Sequence, residues 1–223
     1  MYGRRLWLIG GELVFMLLIP GILGWGPEGH YATCKIAELK VVLLQFALGL
    51  TTFANSYDGA LRYTLLIHQI MCVTTTTTPL HMGYLGDYGG NLIKVVWYDN
   101  QTNLHRVWDD KIIESALTSF YNSDLTNMIQ TIQQYIENSW SNDASSWGIC
   151  ANNQTVCPDP YASESVIAAC KFAYPNATAG STLGDQYFLS RLPVVERKLA
   201  QGGVRLAATL NRIFSSHAKL AEA

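Results

Sequence analysis

The sequence predicts one mainly α-helical domain with a single short β element near its middle. The 223 residues, 49% of them hydrophobic, suffice for one substantial core. Leu199, Leu206, Leu210 and Ile213 recur at helical spacing near the C-terminus, whereas Leu92 to Tyr98 is the one run rich in β-branched and aromatic residues. No internal repeat is present.

The first 24 residues form a separate segment. Arg4 and Arg5 precede an apolar run, Leu6 to Leu23, punctuated by Gly10, Gly11, Glu12, Pro20 and Gly21. This reads as a secretory signal cleaved after Gly24, giving a mature domain of residues 25–223. A membrane anchor is disfavoured, because Glu12 and the glycines leave the run short and interrupted.

The elements follow in order. Glu28 to Leu50 reads as helix with a very apolar middle, Thr51 to Gly59 as loop, and Ala60 to Val73 as a second apolar stretch carrying His68 and Cys72. Thr74 to Thr78 then suit a helix poorly, and Pro79 disfavours helical geometry at Thr78. Asp87 to Asn91 is a turn, Leu92 to Tyr98 a strand, and Asp99 to Thr102 a further turn. Asn103 caps a helix from Leu104 towards Phe120. Asp124 to Trp140 is another helix, Ser141 to Asp159 a Ser/Asn-rich loop, and Ser163 to Tyr174 helix again. A last helix covers about Val194 to Phe214, which Gly202 and Gly203 weaken. Its Arg197, Lys198, Arg205 and Arg212 read as a solvated face rather than a nucleic-acid patch.

Fifteen basic against seventeen acidic residues, a formal charge of -2, exclude binding of nucleic acid by charge alone. Low net charge and high apolar content exclude intrinsic disorder. Sequons at Asn100, Asn153 and Asn176 fit an oxidising secretory route. Of the five cysteines, Cys150 and Cys157 stand close enough to close a local loop around Asn153. The odd count leaves one free, paired between chains, or without its former partner.

No HExxH, Walker loop, dinucleotide-binding glycine pattern or serine nucleophile elbow occurs. His105 and Asp109 are four apart on the helix capped by Asn103, so they share a face and can grip one metal. A solvent-facing histidine with an incidental acidic neighbour accounts for the pair equally simply. His30, His68 and His81 complete the histidines of the first half of the mature chain, and His217 lies near the C-terminus. Metal-assisted hydrolysis is the only enzyme class with a coherent set of ligands.

Trp25-Gly26-Pro27-Glu28-Gly29-His30 resembles the mature N-terminus of the zinc-dependent, single-strand-specific nucleases of fungi and plants. Pro79-Leu80-His81-Met82-Gly83, Asp87-Tyr88-Gly89-Gly90-Asn91 and Asn103-Leu104-His105-Arg106-Val107-Trp108-Asp109 resemble that family's central motifs in the family's order. Leu183-Gly184 and Gly203 to Asn211 are similar to its C-terminal part. The resemblance implies a mostly helical, phospholipase C/zinc nuclease-like fold with three Zn2+ ions in a cleft. It implies that Trp25, once a free terminus, binds one zinc with His30 beside it, and that His81, His105 and Asp109 hold a second. It makes His68 the candidate for the family's histidine upstream of the Pro-Leu-His motif, although His68 stands thirteen residues before His81, beyond the family's spacing, and it implies that Asn91 hydrogen-bonds the substrate phosphate.

The implied activity is hydrolysis of single-stranded DNA and RNA to 5′-phosphorylated products, with removal of 3′-phosphates from nucleotides. A secreted monomer, extracellular or vacuolar and free of the membrane after signal removal, is expected. The chain also departs from the family. It lacks a region between about 40 and 60 and is altered at 72–79, where the family has a Gly-Asp-x-His-Gln-Pro-Leu-His segment whose Asp bridges two zincs. Cys34's usual partner belongs to the missing region. The fold is therefore expected to be incomplete, as in a shortened or mis-spliced nuclease or a degraded paralogue. The competing functions are a catalytically impaired secreted protein with partial zinc binding and a phospholipase C-like phosphodiesterase.

Overall fold

The computed structural model describes residues 25–38, 73, 75–151 and 154–221, with side chains to 213. The leader at 1–24, the apolar stretches from 39 to 72 with His68 and Cys72, and Asn153 lie outside the described residues, as does the side chain of His217.

Helix α1 is Pro27–Glu38, opening on a proline suited to a first turn and burying Gly29, Ala32, Thr33, Ile36 and Ala37. Short 3-10 turns follow at Leu80–Met82 and Leu85–Asp87. Strand β1 (Lys94–Trp97) then pairs antiparallel with β2 (Asn100–Asn103), Lys94 opposite Asn103 and Trp97 opposite Asn100. Helix α2 runs through Leu104–Arg106, a π-helical turn at Val107–Lys111, and Ile112–Phe120. Helices α3 (Leu125–Glu137), α4 (Ser141–Trp147) and α5 (Pro158–Ala168, continued by a π turn at Ala169–Ala173) come next. Strand β3 (Thr182–Leu183) joins β1 in parallel, giving the sheet order β2-β1-β3, and α6 (Asp185–Ala221) closes the chain.

The core forms where α6 lies along α1 and reaches α2, α3 and α4. Trp25, Ile36, Leu104, Trp108, Ile112, Ile132 and Leu199 are among its fully buried members. Gly203 explains the closeness of α1 and α6: a Cβ there would fall 2.6 Å from Ile36 Cβ. The glycine pair that weakens α6 as an isolated helix is what lets the two helices meet.

Several expectations are corrected. Asn100 to Thr102 belong to an edge strand rather than a turn; the reversal is made by Tyr98 and Asp99, with Tyr98 at φ 52. Backbone pairing needs no apolar side chains at an exposed edge, so the Asn-Gln-Thr-Asn composition conceals the strand. Ser141–Trp147 is helical within the expected loop because Trp147 docks in the core, while Ser145 and Ser146 hydroxyls donate to the carbonyls of Asn142 and Asp143.

The threonines at 75–77 are helical, contrary to their propensity. Thr77 Oγ1 donates to the Val73 carbonyl at 2.6 Å, and Ser165 Oγ donates to the Thr76 carbonyl at 2.6 Å. Burial and these bonds override an intrinsic cost of a few tenths of a kcal/mol per residue, roughly. Helical structure ends before Thr78, as Pro79 requires.

Helix α6 begins nine residues before Val194 and contains Pro193. Tyr187, Phe188 and Leu192 are buried along that first stretch, which anchors it despite the proline. Its basic residues are not a solvated face. Lys198 and Arg205 are buried on Glu164, with Lys198 Nζ 3.3 Å from Glu164 Oε2 and an Arg205 Nη2 contact to the same oxygen. Arg212 donates to the carbonyls of Thr155 and Gly148 at 2.8 Å each. Arg197 pairs with Asp143 at 2.6 Å and lies over the rings of Trp140 and Trp147.

Cys150 and Cys157 form a disulfide, while Cys34 and Cys170 are free. Among the described residues, no helix is long and apolar enough to cross a membrane.

Candidate metal centre

Two elements bring three side chains to one point. His81 stands in the 3-10 turn after Pro79, and His105 and Asp109 project from one face of α2. Asn103 fixes the start of that helix: its side chain accepts the Arg106 N–H at 2.8 Å, satisfying a donor the first turn would leave unpaired. The π turn carries Asp109, and such turns frequently mark functional positions. Trp108, fully buried, anchors the helix by donating from Nε1 to Tyr187 Oη at 2.9 Å, and Tyr187 donates onward to the Ala173 carbonyl.

Asp109 Oδ2 lies 3.0 Å from His105 Nε2 and 3.4 Å from His81 Nε2. All three ligand atoms fall within 4.8 Å of one another. A zinc ion with ligands at about 2.05 Å in tetrahedral geometry needs donor atoms about 3.3 Å apart, so both Asp109 contacts have the right span. Two imidazoles and a carboxylate are a zinc-type donor set.

The other ring nitrogen of His105 is also committed. Nδ1 donates to the Gly89 carbonyl at 2.8 Å, which leaves the Nε2 lone pair to face Asp109 and His81. Gly89 sits at φ +63, and a Cβ there would fall 2.2 Å from the Leu80 carbonyl oxygen, so the carbonyl's position depends on glycine. Burial lowers the His105 pKa, but the Asp109 carboxylate and the Gly89 carbonyl outweigh it and hold the group above its usual value.

The N-terminal segment docks on the same point. Gly26 N–H donates to the Asp109 carbonyl at 3.1 Å, and Trp25 is 1% exposed. His30 is close enough for Asp109 and His81 to act on its charge; desolvation dominates and lowers its pKa. His30 Nε2 and Asp109 Oδ1 are both buried without a hydrogen-bond partner. Two orphaned donor atoms beside the trio are what a further cation would satisfy. Thr75 Oγ1 is likewise buried and unpartnered.

Asn91 is half-buried and closes the glycine turn, its side-chain amide donating to the Tyr88 carbonyl at 2.9 Å. Asp110, next to the trio, is raised by burial and by the charges of Asp109 and Glu114, with Arg106 opposing. Sequence reasoning missed Asp87 as an organiser of the glycine turn and missed Tyr174 altogether. Asp87 Oδ1 accepts the Gly90 N–H at 2.7 Å, and Tyr174 reaches the same oxygen from α5's end. The Asp-x-x-Gly spacing of the turn carried a signal for the first; nothing local marked the second.

The model of the S1/P1 nuclease family matches residues 51–215. Endonuclease 3 of Arabidopsis thaliana is 43% identical over 293 aligned positions, covering all of this chain and 99% of that protein. The alignment is longer than the 223-residue chain, so part of that relative faces no residue here. Endonuclease 2 of the same plant is 52% identical over 136 residues, 61% of this chain and 47% of its own length. Nuclease P1 of Penicillium citrinum is 29% identical over 169 residues, 73% of this chain and 60% of its own.

Proposed function

The chain belongs to the S1/P1 nuclease family, and from that premise we propose that it is a zinc-dependent nuclease hydrolysing phosphodiester bonds of single-stranded DNA and RNA. Its products would be 5′-phosphorylated, and it would also remove 3′-phosphates from nucleotides. The observation that carries the proposal is the convergence of His81, His105 and Asp109, with Asp109 Oδ1 left buried and unpartnered beside them. The relatives named endonuclease and nuclease support the substrate class.

His81, His105 and Asp109 would hold one zinc, and Trp25 and His30 would contribute to another. When bound, zinc would offset the negative charge of the phosphoryl group and lower the pKa of a water so that hydroxide is available as nucleophile near neutral pH. The protein's own contribution is preorganisation. Gly89 keeps the proton on His105 Nδ1, the capped helix fixes His105 against Asp109, and the buried Trp25 segment excludes solvent from one side. Asn91 is the candidate donor to a substrate phosphate.

Among the described residues the set is incomplete for a three-zinc centre. Neighbouring divalent cations repel unless ligand charge offsets them, and threonine hydroxyls at 75–78 carry none. Turnover by this chain should therefore be low, and the impaired reading and the nuclease reading differ only in rate. A rate assay on single-stranded DNA tests this with three proteins: the chain itself, a variant with Gly-Asp-Ile-His-Gln-Pro at 74–79, and one that also regains the missing region. Only the last should cleave well; equal turnover by the first would overturn the account.

Further parts of the proposal are removal of residues 1–24, an extracellular or vacuolar destination, a monomeric state, and glycans at Asn100 and Asn176. Both asparagines are exposed, which supports their access to a glycosyltransferase.

A further inference from the structure

Tyr174 lies at the end of the π turn that extends α5, far in sequence from the centre. Its hydroxyl accepts the Tyr84 N–H at 2.7 Å and donates to Asp87 Oδ1 at 3.3 Å. That oxygen also accepts the Gly90 N–H at 2.7 Å. The loop is thus held at Tyr84 by the hydroxyl itself and at Gly90 by the Asp87 oxygen to which that hydroxyl donates. Between the pins, Gly89 N–H donates to the Tyr84 carbonyl at 2.9 Å, and the Gly89 carbonyl accepts from His105 Nδ1. The fit is tight: a Cβ at Gly83 would fall 2.6 Å from the Tyr174 hydroxyl.

We propose that Tyr174 is a positioning residue of the metal centre, holding the Tyr84–Gly90 loop so that the Gly89 carbonyl keeps the proton on His105 Nδ1 and presents Nε2 to the metal. The inference rests on the reading of His81, His105 and Asp109 as metal ligands. The Tyr174 hydroxyl bonds Tyr84 N–H and Asp87 rather than the three ligands themselves, so it acts through Asp87, the loop backbone and His105. Desolvation raises its pKa, which keeps the hydroxyl protonated as a donor to Asp87.

The test uses the signal-cleaved protein and four forms: wild type, Tyr174→Phe, Asp87→Ala and Asp87→Asn. The asparagine keeps an oxygen that can accept from both Gly90 N–H and Tyr174. Two readouts are needed. Long-range proton–nitrogen NMR of the metal-free proteins, above the pKa of His105 and assigned with His105→Gln, reads the tautomer. Zinc affinity comes from competition with a chromophoric chelator. The expected result is a His105 signal shifted from the Nδ1-protonated form towards a mixture in Tyr174→Phe and Asp87→Ala. Their zinc Kd should rise about 10–100-fold, the usual effect of losing an outer-shell partner, with Asp87→Asn close to wild type. If Tyr174→Phe does not fold, the two Asp87 variants carry the comparison. A wild-type tautomer and Kd in Tyr174→Phe, or equal losses in Asp87→Ala and Asp87→Asn, would overturn the proposal. If the wild type binds no zinc, the metal reading fails, while the tautomer comparison still decides the role of Tyr174.

Discussion

Asp109 presents Oδ2 to His105 Nε2 at 3.0 Å and keeps its other oxygen buried with no hydrogen-bond partner. An ionised carboxylate normally accepts several hydrogen bonds, and leaving one oxygen dry and unpaired is costly. On the proposed reading, Oδ2 serves the cation held with His105 and His81, and the dry Oδ1 is free to serve a second one.

Asp109→Asn keeps the size of the side chain and removes its charge. Zinc affinity should fall by more than the roughly 10–100-fold typical of an outer-shell loss, because the neutral amide oxygen is a weaker ligand. Isothermal titration of both forms gives the comparison, and equal affinity would leave Asp109 as an ordinary helical acid.

Asn103→Ala removes the cap of α2 and should destabilise the protein by about 1 kcal/mol, whereas Asn103→Asp should retain most of that. Urea unfolding resolves the difference. A neutral alanine variant would mean that packing of Leu104 and Trp108 alone fixes the start of the helix.

Gly89→Ala places a side chain at φ +63 with its Cβ driven towards the Leu80 carbonyl. Backbone strain of this kind costs about 1–3 kcal/mol, and the shift needed to relieve it moves the carbonyl that orients His105. The variant should lose both thermal stability and zinc affinity. Wild-type values of both would show that the loop does not orient the histidine.

Glu164 gives a pH dependence. Burial raises its pKa, but Lys198 and Arg205 outweigh this and hold it below the ordinary value of 4.5. A carboxylate with a depressed folded pKa adds stability in full above its unfolded pKa and loses it as pH falls through the folded one. Glu164→Gln should thus be less stable than wild type by about 2 kcal/mol at neutral pH. That is below the roughly 3–5 of a fully buried pair, because the Glu164 side chain is 39% exposed. The gap should close as pH drops below about 4.5. Thermal midpoints across that range decide it; a gap that persists in acid would place the stabilisation elsewhere.

The helical class, the capped start of α2 and the four-residue spacing of His105 and Asp109 were legible because each is encoded within one or two helical turns. Position 81 came from a motif, since no local rule says that a turn after Pro79 should face α2. The buried salt-bridge network was illegible for a different reason. Arg205 and Lys198 look like surface residues until Glu164, on another helix, is brought under them. β2 was hidden by its polar, edge-strand composition, and the helical threonines by bonds to Val73 and Ser165 that propensity ignores. Tyr174 meets Asp87 across 87 residues of sequence, and only the fold supplies that contact.

The decisive measurement is the zinc content, after dialysis, of the purified protein expressed from Trp25 onward. One tightly held zinc per chain is expected at His81, His105 and Asp109, lost when His81 or Asp109 is replaced by alanine, with the Trp25–His30 side at most a weak second site. No zinc, or a zinc that survives both replacements, would contradict the assignment of the trio; three zincs per chain would contradict the claim that the centre is incomplete.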